Sequence, residues 1–472
     1  MDKLPKDNPY MESIAIVGGG ITGIAAAIEL AKSRRFQVTL FEKQNHLGGL
    51  SSYYQWRDVV WDRFYHVILS TDTVMLEFIK ELGLQDKFFW RDTKTGFYSK
   101  GRLVSFSSTL DFIKFPFMTL WQKFRMGLGI LYSSRIKDPS KLDKIYVKQW
   151  LTKIFGRRVY EQIWEPLLRS KLGNARERTS AAFIWATINR LYGARSSGTK
   201  QEKMGHVKGG YHTILETAEK KLVELGVKIM TNSPVLKCEK KPQNPNISSR
   251  RLSSSKQQLS DKNNQPKKQI KLTTKNDTFK FDKVLFTTDC PTVLQMVNSE
   301  NNHPYWSQLK QVEYLGVICV LLILNRKLSP YYVINLLDRD LPFTGIVEAT
   351  NIVSPKNLDG KHLVYLPKYL PGDDSFSNME EDKIIDLFVD KLKKVFPDLK
   401  EEEILHRQLF RETYVQPLQD LNYLQRTTEI ITPIKGLYLV NTSMNYNSTL
   451  NNNAAIMLAH KAVKTILDDD EK

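Results

Sequence analysis

Cysteine is scarce: Cys238, Cys290 and Cys319 are the only three in 472 residues, and none forms a C-x-x-C pair. Such spacing argues against a disulfide framework or a cysteine zinc site and suits a reducing, cytoplasmic compartment. Long apolar runs are also missing, since no stretch reaches the roughly 18 uncharged residues of a membrane span. The longest run, 314–324 (YLGVICVLLIL), is short and β-branched and reads as a buried strand. The polar N-terminus leads straight into a strand, so no secretory signal is expected. The eight histidines show no metal-ligand spacing, and no Ser–His–Asp or Cys–His order can be read.

Positive charge is plentiful, with 69 Lys and Arg against 51 Asp and Glu, a net +18. About half of that excess falls in the polar stretch 241–276. Charge carried by such a loop serves solubility more often than recognition. No RNA- or DNA-reading motif accompanies it, so nucleic acid is not expected as a partner. The 41% hydrophobic and 25% charged content is that of a globular protein, and the length implies two or three domains.

Along the chain, 13–17 (SIAIV) and 37–42 (QVTLFE) read as strands around a helix starting at Ile21. From 72 to 195 the pattern is mostly helical, with periodic stretches at 74–82, 110–132, 147–154 and 181–191. A helix is expected over 214–225. Strands are expected at 227–230, 233–238, 279–286, 316–324, 362–366, 404–410 and 436–440. Further helices are expected over 382–395 and 452–467. The stretch 239–278 is poor in apolar residues and reads as a flexible insertion at a hairpin tip.

The chemistry-bearing motif is Gly18-x-Gly20-x-x-Gly23, placed between a strand and a helix. The first glycine allows the tight turn, the second lets a pyrophosphate approach the backbone, and the third lets helix and strand pack closely. Helix N-terminal N–H groups at Ile21 and Thr22 then face the phosphates. Glu42 ends the second strand, 19 residues past Gly23, where a carboxylate accepts both ribose hydroxyls and disfavours a 2′-phosphate. After Lys43 comes Gly48-Gly49-Leu50-Ser51, a second glycine pair that nicotinamide dehydrogenases do not need. It lets backbone N–H groups pass close to a flavin's phosphates and ribityl chain.

With these motifs the sequence resembles the superfamily of FAD-dependent amine oxidases, protoporphyrinogen oxidases and phytoene desaturases, to which UDP-galactopyranose mutase is related. The resemblance implies FAD as cofactor, held by three distant segments. The first is the unit just described. The second is a strand whose backbone meets adenine, here Ser233-Pro234-Val235 with Val235 as the contact. The third is the strand 436–440 with Asn441, followed by a helix start at Asn452, Asn453 and Ala454 that faces the flavin. The family's usual Gly-Asp is replaced here by Asn441-Thr442. A polar loop that merely caps a helix is the plainer reading of these asparagines.

The resemblance also implies an α/β fold: a discontinuous Rossmann-like FAD-binding domain and a mixed α+β substrate domain. The first would comprise 1–70, 205–300 and 425–472, and the second 71–204 and 301–424. No second nucleotide motif is present, so electrons would pass from a small-molecule substrate to oxygen, a quinone or another acceptor. Arg63 and His66 are the first candidates for substrate contact, or else structural groups. Arg411 could bind an anionic substrate group, with Tyr414 covering the ring. Equally, Arg411 could pair with Glu412 or Asp420 beside a packed tyrosine. The basic, aromatic stretch 110–132 either lies in a membrane surface or packs on the substrate domain. The leading function is hydride transfer from an organic substrate to flavin N5. Its rivals are a redox-neutral nucleotide-sugar mutase and a non-catalytic flavin-stabilised scaffold.

Overall fold

The computed structural model describes residues 11–195, 203–240, 269–297, 303–372, 374–446 and 449–471. Five parallel strands form one sheet: β1 (Glu12–Val17), β2 (Phe36–Phe41), β3 (Lys228–Met230), β4 (Lys283–Phe286) and β5 (Leu437–Leu439). Their spatial order is β5–β4–β1–β2–β3. The chain therefore fills one side of β1 and then the other. This puts a topological switch point at the C-terminal end of β1, where parallel sheets open a crevice for a ligand.

Six helices matter below: α1 (Ile21–Lys32), α2 (Thr73–Glu81), α3 (Thr109–Lys114), α4 (Leu120–Ser134), α5 (Gly210–Glu224) and α6 (Asn452–Asp469). The Ala- and Ile-rich α1 is buried along most of its length because α6 covers the side that the sheet does not. Stretches near residues 12–41, 228, 283 and 437 thus build one α/β unit, as the fold class implied.

A second sheet of seven strands carries the other half. Ile404–Pro417, Tyr314–Leu324 and His362–Leu370 run antiparallel side by side. Gly345–Glu348, Val333–Leu336, Thr95–Ser99 and Arg102–Ser105 follow. The strand 314–324 is apolar throughout because both its faces are covered. Ile318, Val320, Leu322 and Leu324 pack beneath the helix Glu381–Val395. Val317, Cys319, Leu321 and Ile323 pack on Trp61 and Phe64.

Three findings refine the expectations. The stretch 72–195 is mostly helical, as expected, and also holds the strands Phe88–Asp92, Thr95–Ser99 and Arg102–Ser105. The last two meet at Lys100 and Gly101, both with positive φ (52° and 73°), the geometry of a tight hairpin turn. The stretch 110–132 is two helices, because Pro116 holds Phe115 extended (ψ 119°) and ends α3. Finally, Ile270–Thr274 pairs antiparallel with Val235–Lys240. Ile270 and Leu272 alternate with Lys271 and are fully buried, so the ordered hairpin reaches into the expected insertion, whose remainder at 241–268 lies outside the described residues. All three cysteines are free and buried. Among the described residues no helix is long and apolar enough to cross a membrane.

Candidate active site

The three motif glycines do different work. Gly18 leaves β1 at φ +116°, and a Cβ there would stand 2.6 Å from Thr287 Oγ1. A Cβ on Gly23 would lie 1.9 Å from the Gly18 carbonyl oxygen, so any side chain would drive α1 off β1. Gly20 is the opposite case: its φ is an ordinary −72°, and a Cβ would find nothing within 4 Å. Two glycines are demanded by the protein's own packing. The third is free of steric need and keeps a space open. At that space α1 begins with buried Ile21 and half-buried Thr22, and no side chain caps its first N–H groups.

Beside the turn, Glu42 is buried. Its Oε2 accepts the Gly19 N–H (2.7 Å) and its Oε1 the Gln44 N–H (2.9 Å), leaving lone pairs on both oxygens for further donors. Lys43 is exposed. The N–H groups of Asn232 and Ser233 donate to Gln44 O and Glu42 O (2.8 and 2.9 Å), which lays the segment leading into Val235 alongside this carboxylate.

The second glycine pair lies on the first. Gly48 N–H donates to Gly19 O (2.8 Å), and a Cβ on Gly49 would come within 3.2 Å of Gly20 Cα. Leu50 packs against the Trp61 cluster, so only its backbone remains for a ligand. Ser51 Oγ donates to Asn452 Oδ1 (3.0 Å) at the start of α6. The buried Asn452 Nδ2 makes no hydrogen bond of good geometry, and the Tyr211 hydroxyl is the group that approaches it. A cleared phosphate space, a buried carboxylate and an orphaned amide donor together fit a flavin dinucleotide.

A cleft lies between the hairpin Tyr53–Trp56/Val59–Asp62, α5 and the seven-stranded sheet. Asp62 organises it: Oδ1 accepts the Tyr211 N–H (2.7 Å) and its carbonyl accepts the Tyr365 hydroxyl (2.6 Å). Burial pushes the Asp62 carboxyl up to about 7, against the single lowering effect of the Tyr211 N–H. The His66 ring sits 4.8 Å from that of Tyr211. His66 Nδ1 lies 2.8 Å from the Phe64 carbonyl, which can only accept, so Nδ1 carries the proton and Nε2 is left as an acceptor. Burial lowers the His66 pKa to about 4, so the ring is neutral at pH 7. Tyr65, Tyr332 and Ile352 complete an aromatic, apolar lining.

The model of the family described as flavin containing amine oxidoreductase matches residues 21–466. The chain belongs to that family. Its cofactor is FAD. Among curated relatives, it is 24% identical over 213 residues to coproporphyrinogen III oxidase of Staphylococcus aureus, covering 42% of this chain and 45% of that one. It is 23% identical over 196 residues to 15-cis-phytoene desaturase of Synechococcus elongatus, covering 38% and 41%. The match thus spans less than half the length of either relative. In structure it is similar to reduced UDP-galactopyranose mutase, with a TM-score of 0.69 at 14% identity over 97% of this chain and 96% of that one, a likeness of fold.

Several residues singled out from the sequence do other work. Asn441 does not offer its amide to a ribityl chain. Nδ2 donates to Thr288 O (2.7 Å), while Oδ1 accepts from Ser443 N–H and Oγ (2.9 and 2.6 Å), so it shapes the turn Thr442–Met444. Asn453 Oδ1 accepts the Met75 N–H (3.0 Å) in the first turn of α2, and the Ala454 N–H is capped by Asn451 Oδ1 (2.8 Å). Arg411 lies outside the cleft, exposed, with its guanidinium donating to the carbonyls of Phe376, Ser377 and Met379. Tyr414 is exposed and meets the edge of Tyr314 at 5.6 Å instead of covering a cleft. Arg63 pairs with Glu412 (2.8 Å) and donates to Ser52 Oγ (3.2 Å), a buttress between the hairpin and the second sheet. His66 alone of the four substrate candidates lines the cleft. Asp62, Tyr211 and Tyr365 escaped the sequence reading. The signals on offer were a carboxylate ending an apolar strand and a tyrosine following the pair Gly209-Gly210.

Proposed function

We propose that the protein oxidises an apolar or amine-bearing organic molecule, delivering its hydride to N5 of FAD. When bound, FAD supplies the two-electron acceptor; the chain supplies binding, orientation and exclusion of water. Gly20 and the first turn of α1 receive the pyrophosphate, and Glu42 receives the ribose hydroxyls. Val235 contacts adenine, and Asn452 Nδ2 donates to the flavin. In the cleft, the rings of Tyr65, Tyr211, Tyr332 and Tyr365 exclude water around the substrate. The neutral His66, with Nε2 as acceptor, orients a substrate N–H or O–H. Oxygen or a quinone takes the electrons afterwards.

One observation carries this reading: among the described residues, no Lys or Arg lines the cleft. A diphosphate would find no cation to pair with there, whereas an uncharged or apolar substrate meets matching surface. Anaerobic mixing of the purified holoprotein with panels of amines and apolar metabolites tests it. Substrate-dependent bleaching of the flavin band, reversed by air, is the expected result. Turnover of a nucleotide sugar only after dithionite reduction, with no bleaching by any member of the panels, would overturn it.

A further inference from the structure

Helix α4 is built inside out. Its buried positions are Gln122, Lys123, Met126, Gly129 and Ser133, while Leu120, Trp121, Phe124 and Leu128 stand 74%, 69%, 57% and 52% exposed. The inward polar groups are all partnered. Gln122 Oε1 accepts the Thr119 N–H (2.7 Å), Lys123 Nζ donates to Ile113 O, and Ser133 Oγ donates to Gly129 O (2.7 Å). These bonds fix the rotation of α4, so its apolar face is held outward by the fold. The Lys123 link also brings in α3, whose Leu110 and Ile113 are exposed too, and a groove lined by Phe112, Leu120, Phe124 and Leu131 runs between the helices. Trp121 and Phe124 stack at 5.7 Å on this surface.

Charge tells what covers it. Residues 100–158 hold thirteen Lys and Arg against three Asp and no Glu. Asp143 is buried and Asp111 is spent on capping α3, just as Lys123 and Arg125 are spent on backbone carbonyls and Lys148 and Arg157 on glutamates; on the two helices and the turn after α4 this leaves exposed Lys114, Arg135 and Lys137 against exposed Asp138. The chain's net +18 is accounted for by the excess of ten here and of eight in 241–276, and everything else balances. An apolar patch of this size marks an interaction surface, and tryptophan, phenylalanine and leucine set among cations suit an anionic lipid interface.

We propose that the α3–α4 face rests in the headgroup region of a bilayer containing anionic phospholipid, lying in the plane of the membrane. This surface goes beyond the catalytic reading and does not depend on it. Flotation of the full-length holoprotein with phosphatidylcholine vesicles, with and without phosphatidylglycerol, is the test. The protein should float with the anionic vesicles, less so at high salt. The triple substitution Trp121→Ser, Phe124→Ser, Leu128→Ser should cut binding at least about tenfold, with flavin content and melting temperature retained. No flotation of the parent protein, or equal flotation of the variant, would overturn the proposal. So would binding indifferent to phosphatidylglycerol. A parent dimer that the substitutions convert to monomer, with no vesicle binding, would assign the face to a second copy of the chain and overturn it as well.

Discussion

Ser51 Oγ donates to Asn452 Oδ1 across 3.0 Å, joining residues 401 positions apart. The bond fixes the orientation of the Asn452 amide, so that Nδ2, buried and approached by the Tyr211 hydroxyl without a hydrogen bond of good geometry, is left as the donor that the proposed flavin would take. Replacing Asn452 by Leu should weaken FAD binding by about tenfold, the worth of one hydrogen bond to a ligand, with little change in apoprotein stability. Fluorescence titration of FAD into apoprotein measures this. Unchanged affinity would remove Asn452 from the site.

Gly20 and Gly23 predict opposite phenotypes for the same substitution. Gly23→Ala places a methyl 1.9 Å from the Gly18 oxygen and should prevent stable folding. Gly20→Ala meets nothing within 4 Å at an ordinary φ, so the fold should be as stable as the parent or slightly more so. Its methyl occupies the phosphate space, however, and the protein should purify colourless. A yellow, fully loaded Gly20→Ala protein would sink the pyrophosphate assignment.

Asp62 predicts a pH dependence with a definite sign. Its carboxyl ionises near 3.8 when unfolded and at about 7 in the folded chain, because burial opposes the charge. Between those values the unfolded state releases a proton that the folded state keeps, so stability falls as pH rises from about 4 to about 7. Asp62→Asn keeps an oxygen for the Tyr211 N–H and removes the titration. Its melting temperature should match the parent at pH 4 and exceed it at pH 8, by on the order of a few kcal/mol of stability. An identical difference at both pH values would contradict the assignment.

Arg63 predicts a modest effect. Its pair with Glu412 is partly exposed, with 21% and 34% of the two side chains accessible, and such pairs contribute about 1 kcal/mol. Arg63→Met should lower stability by about that amount and kcat/KM by less than about tenfold. A loss of about a thousandfold would instead return Arg63 to contact with substrate.

The nucleotide half of the fold is legible in the sequence because its decisive parts are contiguous. Strand, glycine turn, helix and acid lie within 12–42, and each has a local steric or electrostatic reason to be there. The cleft is not legible, since Asp62, Tyr211 and Tyr365 meet only through the folding of three separate segments. Asn441 and Arg411 mislead for a related reason. Their chemistry suits a ligand, yet Asn441 spends both amide hydrogens on Thr288 O and Cys290 Sγ, and Arg411 turns its Nη groups to three backbone carbonyls outside the cleft. The strands at 95–105 hide because each is only four or five residues long with little apolar alternation, and the hairpin shows only in the positive φ of Lys100 and Gly101.

The order of strands β5–β4–β1–β2–β3 has a consequence for how the protein is made. The ribosome delivers β1 and α1 first, but their neighbours β4, β5 and α6 emerge only near and after residue 283, the last of them at 452–469. Until then the apolar back of α1 lacks the cover of α6, and the sheet has strands on only one side of β1. Cofactor loading therefore belongs to the end of synthesis. A nascent chain stalled before α6 presents the kind of sticky surface that holding chaperones recognise.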